Sequence, residues 1–422
     1  MQSQIRALAS LCILYFLQGI PYGVQMKALP LYLYESLNFT MNAVTKTGLL
    51  MTPWIFLKPL LSAYVTTETA ANTLIYTGIA GNILLNLLLS FTFLFWSQHN
   101  VIVSFLDMFA LFIINVASVA VDISTDRLAI TSAQSGSDLK FLGISNTVQV
   151  VAYKVGAMFG GIALSLFVNI AYGFLVIAIL NVAGLIVVSY LISATDRPHS
   201  ESKQEQAITR PTISFSMFSI SSLKYLCIFI LTYKLGENGS LTIYPLLLID
   251  KNVSRHHVAM YSSLLNEPLS FLGSIIGGCV WSFHQPKKPY FSLCCMIAFA
   301  CGLRVAPIGL QYLVLSAQID SLWPLASALL SFFGGMLTTL TFTLMMVASH
   351  KVPDTQKATV YAILSSCEVL GKLVFSCFVG YLVTLIGVLH VYMTFTGLLT
   401  LPMFALLWFY KCVLMETKRK EE

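Results

Sequence analysis

Charge is scarce in this chain. Only 10% of its 422 residues are Asp, Glu, Lys or Arg, against roughly 25% in an average soluble domain. So few polar groups could not cover the apolar surface of a globule this size, which sets aside a soluble enzyme, a disordered chain and a collagen-like rod. The phosphate-cradling pattern G-x-x-x-x-G-K-[ST] is missing, and with it ATP-driven pumping through such a loop. None of the nine cysteines forms C-x-x-C. All lie in or beside apolar stretches and read as small core hydrophobes, not as disulfides or metal ligands. The seven histidines fall in loops or at the ends of apolar runs, so neither a zinc site nor a mid-membrane histidine relay is expected, and no cofactor is implied. No small-residue cleavage site follows the first apolar run, which is therefore expected to remain as an uncleaved anchor.

What is present is hydrophobic sequence, 57% of the chain. Low-charge apolar runs of about 18 or more residues recur from end to end, so the solvent is a bilayer. At ~20 residues per crossing, a chain of this length holds about twelve helices. The runs predict spans at 8–33, 44–64, 71–96, 101–130, 139–168, 170–192, 221–248, 256–283, 289–315, 319–349, 357–386 and 388–413. The long polar stretch between Ser193 and Ser219, with Asp196, Arg197, Pro198, Glu201, Lys203, Glu205, Arg210 and Pro211, reads as a flexible cytosolic linker. It divides the chain into six-helix halves, 1–192 and 221–415, with linker 193–220 and a tail at 416–422. Placing the N-terminus in the cytosol puts fifteen basic residues on the inner side and three, Lys46, Lys251 and Arg255, outside. That asymmetry sets both termini in the cytosol. The net charge of +6 is then loop bias and not a nucleic-acid footprint.

The halves echo one another. Pro30-Leu-Tyr-Leu closes span 1, and Pro245-Leu-Leu-Leu closes span 7 at an offset of 215, which also lays Pro21-Tyr22-Gly23 on Gly236-Glu237-Asn238. Lys140 and Lys154 on span 5 are matched by Lys357 and Lys372 on span 11. A six-plus-six duplication is the architecture of the major facilitator superfamily, an all-α, twelve-helix membrane fold whose site lies at the midplane between halves.

Charges within spans cost about 2.5–3.5 kcal/mol each on insertion scales, so each needs a partner, water or a task. Lys234 and Glu237 stand three apart on span 7, hence on one helix face, inside a break-prone Gly-Glu-Asn-Gly segment near the bilayer centre. They either neutralise one another or divide between cargo and coupling ion, with Tyr233 and Asn238 beside them. Glu368 and Lys372, four apart on span 11, read first as a self-pairing scaffold. Lys154 on span 5 has only Gln149 and Tyr153 as polar neighbours. It needs an acid from another helix (Glu237, Glu267 or Asp122) or a water-filled cavity. Glu267 and Arg304 stand alone on spans 8 and 9, Arg304 either snorkelling or pairing inward. Asp122 lies deep on span 4, while Asp126 and Arg127 fall nearer the interface, where a gate or loop clasp is expected.

On span 1, Gln18, Tyr22 and Gln25 share a face expected to look into the cavity, and Lys27 is expected to snorkel outward. Thr338 and Thr341, with Thr339, form a hydroxyl face on span 10 that serves either cargo or packing. Gly156-x-x-x-Gly160 and Gly273-x-x-x-Gly277 predict close helix crossings. Asn38-Phe-Thr40 and Asn252-Val-Ser254 are outer sequons close to the membrane, and Asn238-Gly-Ser240 is a third, mid-membrane.

Several strings carry a resemblance: Tyr15–Gln25, Thr52–Trp54, Asn146–Gly161, Leu231–Gly239, Phe333–Met346 and Leu370–Lys372. Over nearly the whole chain they are similar to an orphan solute-carrier family of the major facilitator superfamily. That family is more distantly similar to the acetyl-CoA transporter of the endoplasmic reticulum and the bacterial muropeptide permease. Gln149, Tyr153, Lys154, Tyr233, Lys234, Glu237, Thr338, Thr341 and Lys372 match it residue by residue. Two departures stand out: Val65 replaces an acidic residue at the end of span 2, and Ser118-Val119 replaces Gln-Asp on span 4, which leaves the usual clasp of the family unformed.

The expectation is an alternating-access secondary transporter for a small anionic or zwitterionic solute, acetyl-CoA-like by resemblance. Protons are the candidate coupling ion through Glu237, and Glu267, Asp122, Asp126, Arg127, Glu368 and Lys372 are candidate coupling or gating residues. A monomer in the bilayer suffices. The competing readings are a membrane receptor or scaffold that binds a ligand without moving it, and a membrane acyltransferase, which would want a buried histidine that the sequence does not place.

Overall fold

The computed structural model describes residues 2–65, 67–95, 101–134, 139–165, 167, 169–193, 220–284, 289–317, 322–349, 351–352 and 354–421. The expected linker lies outside them. Among the described residues all regular structure is helical, in twelve antiparallel passages. Five are single helices: Glu68–Phe95, Val101–Gln134, Leu139–Ser165, Ile170–Ser193 and Trp323–Ser349. Spans 11 and 12 form one helical run, Asp354–Glu421, divided at Gly387, whose φ of 77° is the left-handed backbone glycine tolerates. The expected tail instead continues span 12 as helix, because Glu416 accepts hydrogen bonds from the Ser222 backbone N–H (2.9 Å) and hydroxyl (2.8 Å) and pairs with Lys351 at 2.9 Å.

The other spans are jointed. Span 1 runs through Gln2–Gly23, a π-helical turn Val24–Ala28 and Leu29–Glu35. Span 2 comprises Met41–Lys46, a 3₁₀ turn Thr47–Met51 and Pro53–Tyr64. Span 7 breaks between Ser221–Thr232 and Leu235–Asp250. Span 8 comprises Arg255–Tyr261, a π-helical turn Ser262–Asn266 and Glu267–His284. Span 9 breaks between Pro289–Leu303 and Val305–Ala317. Exposed Phe56, Leu84, Phe105, Ile186, Phe283 and Phe404 form the outer surface. A surface this apolar belongs in hydrocarbon.

The duplication has a local signature at the turns after spans 1 and 7. Asn38 (φ 55°) and Asn252 (φ 65°) are the two non-glycine residues with left-handed backbone among those described, a conformation asparagine accepts more readily than most. Two residues later, the hydroxyls of Thr40 and Ser254 cap the next helix by accepting from the N–H of Ala43 (3.3 Å) and His257 (3.4 Å). The sequons at Asn38 and Asn252 are thus explained by turn chemistry.

Crossings repeat as well. A methyl group on Gly156 or Gly160 of span 5 would collide with the carbonyls of Phe16 and Ile20 on span 1, and one on Gly371 of span 11 with Leu231 on span 7. The Gly273-x-x-x-Gly277 stripe is pressed against Phe332 and Met336 on span 10. These are the close approaches the small-residue spacing predicts.

Candidate functional site

The break in span 7 falls at Tyr233–Lys234, a turn before the glutamate the sequence points to. Lys234 precedes the helix that begins at Leu235 without capping it, and Glu237 lies in its first turn, where the helix dipole favours a carboxylate. The break separates the two side chains. Glu237 makes no ion pair with Lys234 among the described contacts and instead takes Arg304 from span 9, Nη1 to Oε2 at 2.8 Å. The same nitrogen donates to the Tyr233 carbonyl at 2.9 Å. Arg304 sits at the break in span 9 and is 0% exposed. It pairs inward and does not snorkel. Lys234 turns to Glu368 at 3.7 Å, which Lys372 also holds at 2.8 Å and the Tyr233 hydroxyl at 2.8 Å. The span 11 scaffold pair is therefore present, and part of something larger. Three cations (Lys234, Arg304, Lys372) surround two carboxylates (Glu237, Glu368).

Lys154 of span 5 adds a fourth cation from the other half. Its ammonium donates to the Ser270 carbonyl (3.1 Å) and to Ser274 Oγ (2.7 Å) on span 8. No carboxylate among the described residues comes within ion-pair distance of it; of the three expected acids, Glu237 acts on it at longer range. Lys154 lies within electrostatic reach of Lys234, Glu237, Lys27 and Lys372. Gly334 and Gly335 on span 10 make the space: a side chain on Gly334 would strike the Glu237 carboxylate, and one on Gly335 the Ser270 carbonyl and the Lys154 ammonium. Sequence reasoning missed this pair of glycines, although both lie in the resembling string. The side chains of Lys372 and Lys234 are 20% and 16% exposed, so the lysines, unlike Arg304, reach open space. Tyr22 and Tyr153, ring centroids 5.6 Å apart and half-buried, close the cluster from spans 1 and 5.

Other candidates are placed elsewhere. Gln18 and Gln25 do not line the central space. Gln18 donates to Thr125 Oγ1 at 3.0 Å; Gln25 donates to the Leu111 carbonyl at 3.3 Å and accepts from Asn115 at 2.7 Å, all on span 4. Burial against span 4 turns them inward within their own half, and Tyr22 alone of the stripe reaches the centre. Asn238 bridges to span 11 through the Lys372 carbonyl (3.3 Å) and Ser376 Oγ (2.5 Å). Thr338 donates to the carbonyl of Gly334 at 2.7 Å, while the buried Thr341 hydroxyl has no hydrogen-bond partner among the described residues.

Lys27 does not snorkel. It pairs across the two halves with Glu267, which is thus not alone. Asp126 is buried and not interfacial: its Oδ1 accepts from Tyr15 (2.8 Å) and Gln149 (3.3 Å), and its Oδ2 lies 2.8 Å from Lys58 Nζ. Lys58 also pairs with Asp122. Arg127 donates to the carbonyl of Val65. The backbone thereby serves as acceptor at the position where the resembling family carries an acid.

The halves touch above and below the central cluster. On the face that bears the termini, Asn146 of span 5 donates to the Thr339 carbonyl (3.1 Å) and Thr343 Oγ1 (2.8 Å) on span 10, and Tyr361 donates to Gln149 at 3.5 Å. On the opposite face, Tyr34 donates to Asp250 at 2.6 Å and Arg255 pairs with Glu35 at 3.1 Å. The described contacts therefore bridge both ends and leave the charged cluster between them.

Twelve spans in two similarly packed halves define the major facilitator fold. No protein-family model matches the chain. Among solved structures, it is similar to the nucleoside transporter NupG, with a TM-score of 0.65 and 14% identity over 96% of this chain and 100% of that one. It is also similar to a bacterial homologue of the iron transporter ferroportin in an outward-facing state with soaked iron, with a TM-score of 0.66 and 13% identity over 97% of this chain and 99% of that one. At these identities the likeness is one of fold.

Proposed function

We propose that the chain is a secondary transporter that moves a small organic anion, or a zwitterion with a dominant anionic group, by alternating access. One observation carries the reading. The midplane cluster holds four cations against two carboxylates, and the lysine contributed by the N-terminal half has no carboxylate within ion-pair distance among the described residues. An excess of two positive charges in a low-dielectric interior is costly, and an arriving anion offsets it. Lys154 reaches the cluster from one half, and Lys234 and Lys372 from the other, so an anion held by all three ties the halves together. Tyr22 and Tyr153 supply flat apolar faces for an organic body. Glu368 competes with the cargo for Lys234 and Lys372, which gives a route for release. An acyl thioester of coenzyme A, suggested by resemblance, is one member of this class.

In this reading the halves, 1–192 and 221–415, rock about the cluster, the linker 193–220 joins them in the cytosol, and both termini are cytosolic. Glu237 fits a coupling role less simply than its spacing suggests, because a proton there releases Arg304 and not Lys234. The test uses purified protein in liposomes offered a fractionated cell extract, with the lumen analysed by mass spectrometry. Accumulation of an anionic organic solute against empty liposomes is expected. Accumulation of cations alone overturns the charge argument, and saturable binding with no lumenal accumulation favours a receptor instead.

A further inference from the structure

A second charged cluster lies apart from the central lysines, in the N-terminal half. Asp122 and Asp126 stand one turn apart on span 4, and Lys58 of span 2 reaches both. Their side chains are only 6–8% exposed. Two carboxylates and one ammonium leave a net charge of −1. Interiors do not hold an odd charge cheaply, and two acids that share one cation are the arrangement in which one of them takes up a proton.

The two acids are not equivalent. Asp126 accepts hydrogen bonds from Tyr15 and Gln149 at Oδ1, and its Oδ2 lies 2.8 Å from Lys58 Nζ. The contact described for Asp122 is Lys58 alone. The groups facing the pair are Tyr15 on span 1, Lys58 on span 2, Gln149 and Tyr153 on span 5 and Tyr361 on span 11. Arg127, next on the same helix, turns to the Val65 carbonyl. The position also matters. Asp126 reaches Gln149, and Gln149 accepts from Tyr361 of the other half, one of the contacts that close the termini face.

We infer that Asp122, with Lys58 and Asp126, forms a proton-binding site, distinct from the cargo cluster, whose occupancy biases closure of the termini face. The ligand is a proton and the acceptor a carboxylate oxygen of Asp122. With Asp122 protonated, Lys58 belongs to Asp126 alone and the set is neutral; with Asp122 ionised, Lys58 is shared. The bias on closure rests on the transport reading; the proton site itself does not.

The test is infrared difference spectroscopy of the full-length protein in lipid, perfused through a pH series, read at the stretching band of a protonated carboxyl group. Wild type should show a titrating buried-carboxyl band, Asp122→Asn should lose one carboxyl's share of it, and Glu237→Gln should keep that share. Asp107→Asn, which removes the buried acid of span 4 held by Thr92 alone among the described residues, serves as the control that separates its contribution. Lys58→Gln leaves two acids with no cation and should raise the amplitude by about one further carboxyl, which decides the matter even if Asp122→Asn does not fold. A full-amplitude band in Asp122→Asn, no band in wild type, or an unchanged band in Lys58→Gln overturns the proposal. The readout needs no cargo, so it stands or falls independently of the solute's identity.

Discussion

Arg304 offers the sharpest test of how the C-terminal half is held together. It is 0% exposed and Glu237 is 5% exposed, and their 2.8 Å contact joins two broken helices where each breaks. Replacing Arg304 with methionine keeps the bulk but leaves Glu237 as a buried carboxylate without a cation, and it also strips the donor from the Tyr233 carbonyl. Breaking one side of a buried pair costs about 3–5 kcal/mol. That is about 2–4 powers of ten in the ratio of folded to unfolded protein. Removing both charges should be far milder, since a neutral pair of similar volume replaces a buried ion pair at little cost. The assay is the monodisperse fraction on size exclusion after heating in detergent. Arg304→Met should melt well below wild type, and Arg304→Met with Glu237→Gln should recover most of the loss. If the single variant melts with wild type, the ion pair is not holding the breaks. If the double variant is as weak as the single one, the cost lies in packing and not in charge.

Three further outcomes follow from particular contacts. Gly335→Ala places a methyl group against the Ser270 carbonyl and Lys154 and should cost about 1–3 kcal/mol by overpacking the crossing of spans 8 and 10; Gly302→Ala, with nothing nearby, should melt like wild type in the same heating assay. Arg255→Ala removes the ion pair of the latch on the face opposite the termini. That pair is about a third exposed and contributes at most about 1 kcal/mol, so labelling of a cysteine placed at Tyr22 by an aqueous thiol reagent from that face should speed up by no more than about fivefold. Lys27→Met strands Glu267 and should reduce thermal survival, while Lys27→Met with Glu267→Gln should restore it; equal survival of all three proteins would mean that the pair across the halves is energetically idle.

Much of the fold is legible in hydropathy alone, because a bilayer demands long apolar helices and little else competes with that demand. The twelve spans, the glycine crossings and the loosened middle of span 7 follow from run length and residue type. Pairing across helices is not legible. Periodicity tells which residues share a face of one helix, and it misleads when the helix breaks between them, as it does just before Glu237. It carries no information on how one helix is rotated against the next. Hence Gln18 and Gln25, correctly placed on one stripe, face span 4 and not the centre. Lys27 finds Glu267 at a separation of 240 residues, and Lys58 joins two aspartates on span 4 with no local signal to mark it. Gly334-Gly335 carries no sequence signal of its own, and its role shows only in the charged groups beside it.

The central claim is that unbalanced positive charge at the midplane draws an organic anion between the halves. Lys154 tests it most directly, since its described partners are a carbonyl and a hydroxyl and no ion pair is broken by its removal. Uptake of the accumulated solute by liposomes bearing Lys154→Met, at equal protein content and equal thermal survival, should fall at least about tenfold, with Lys154→Arg retaining part of it. Undiminished uptake by Lys154→Met, or a solute that carries no negative charge, would contradict the account.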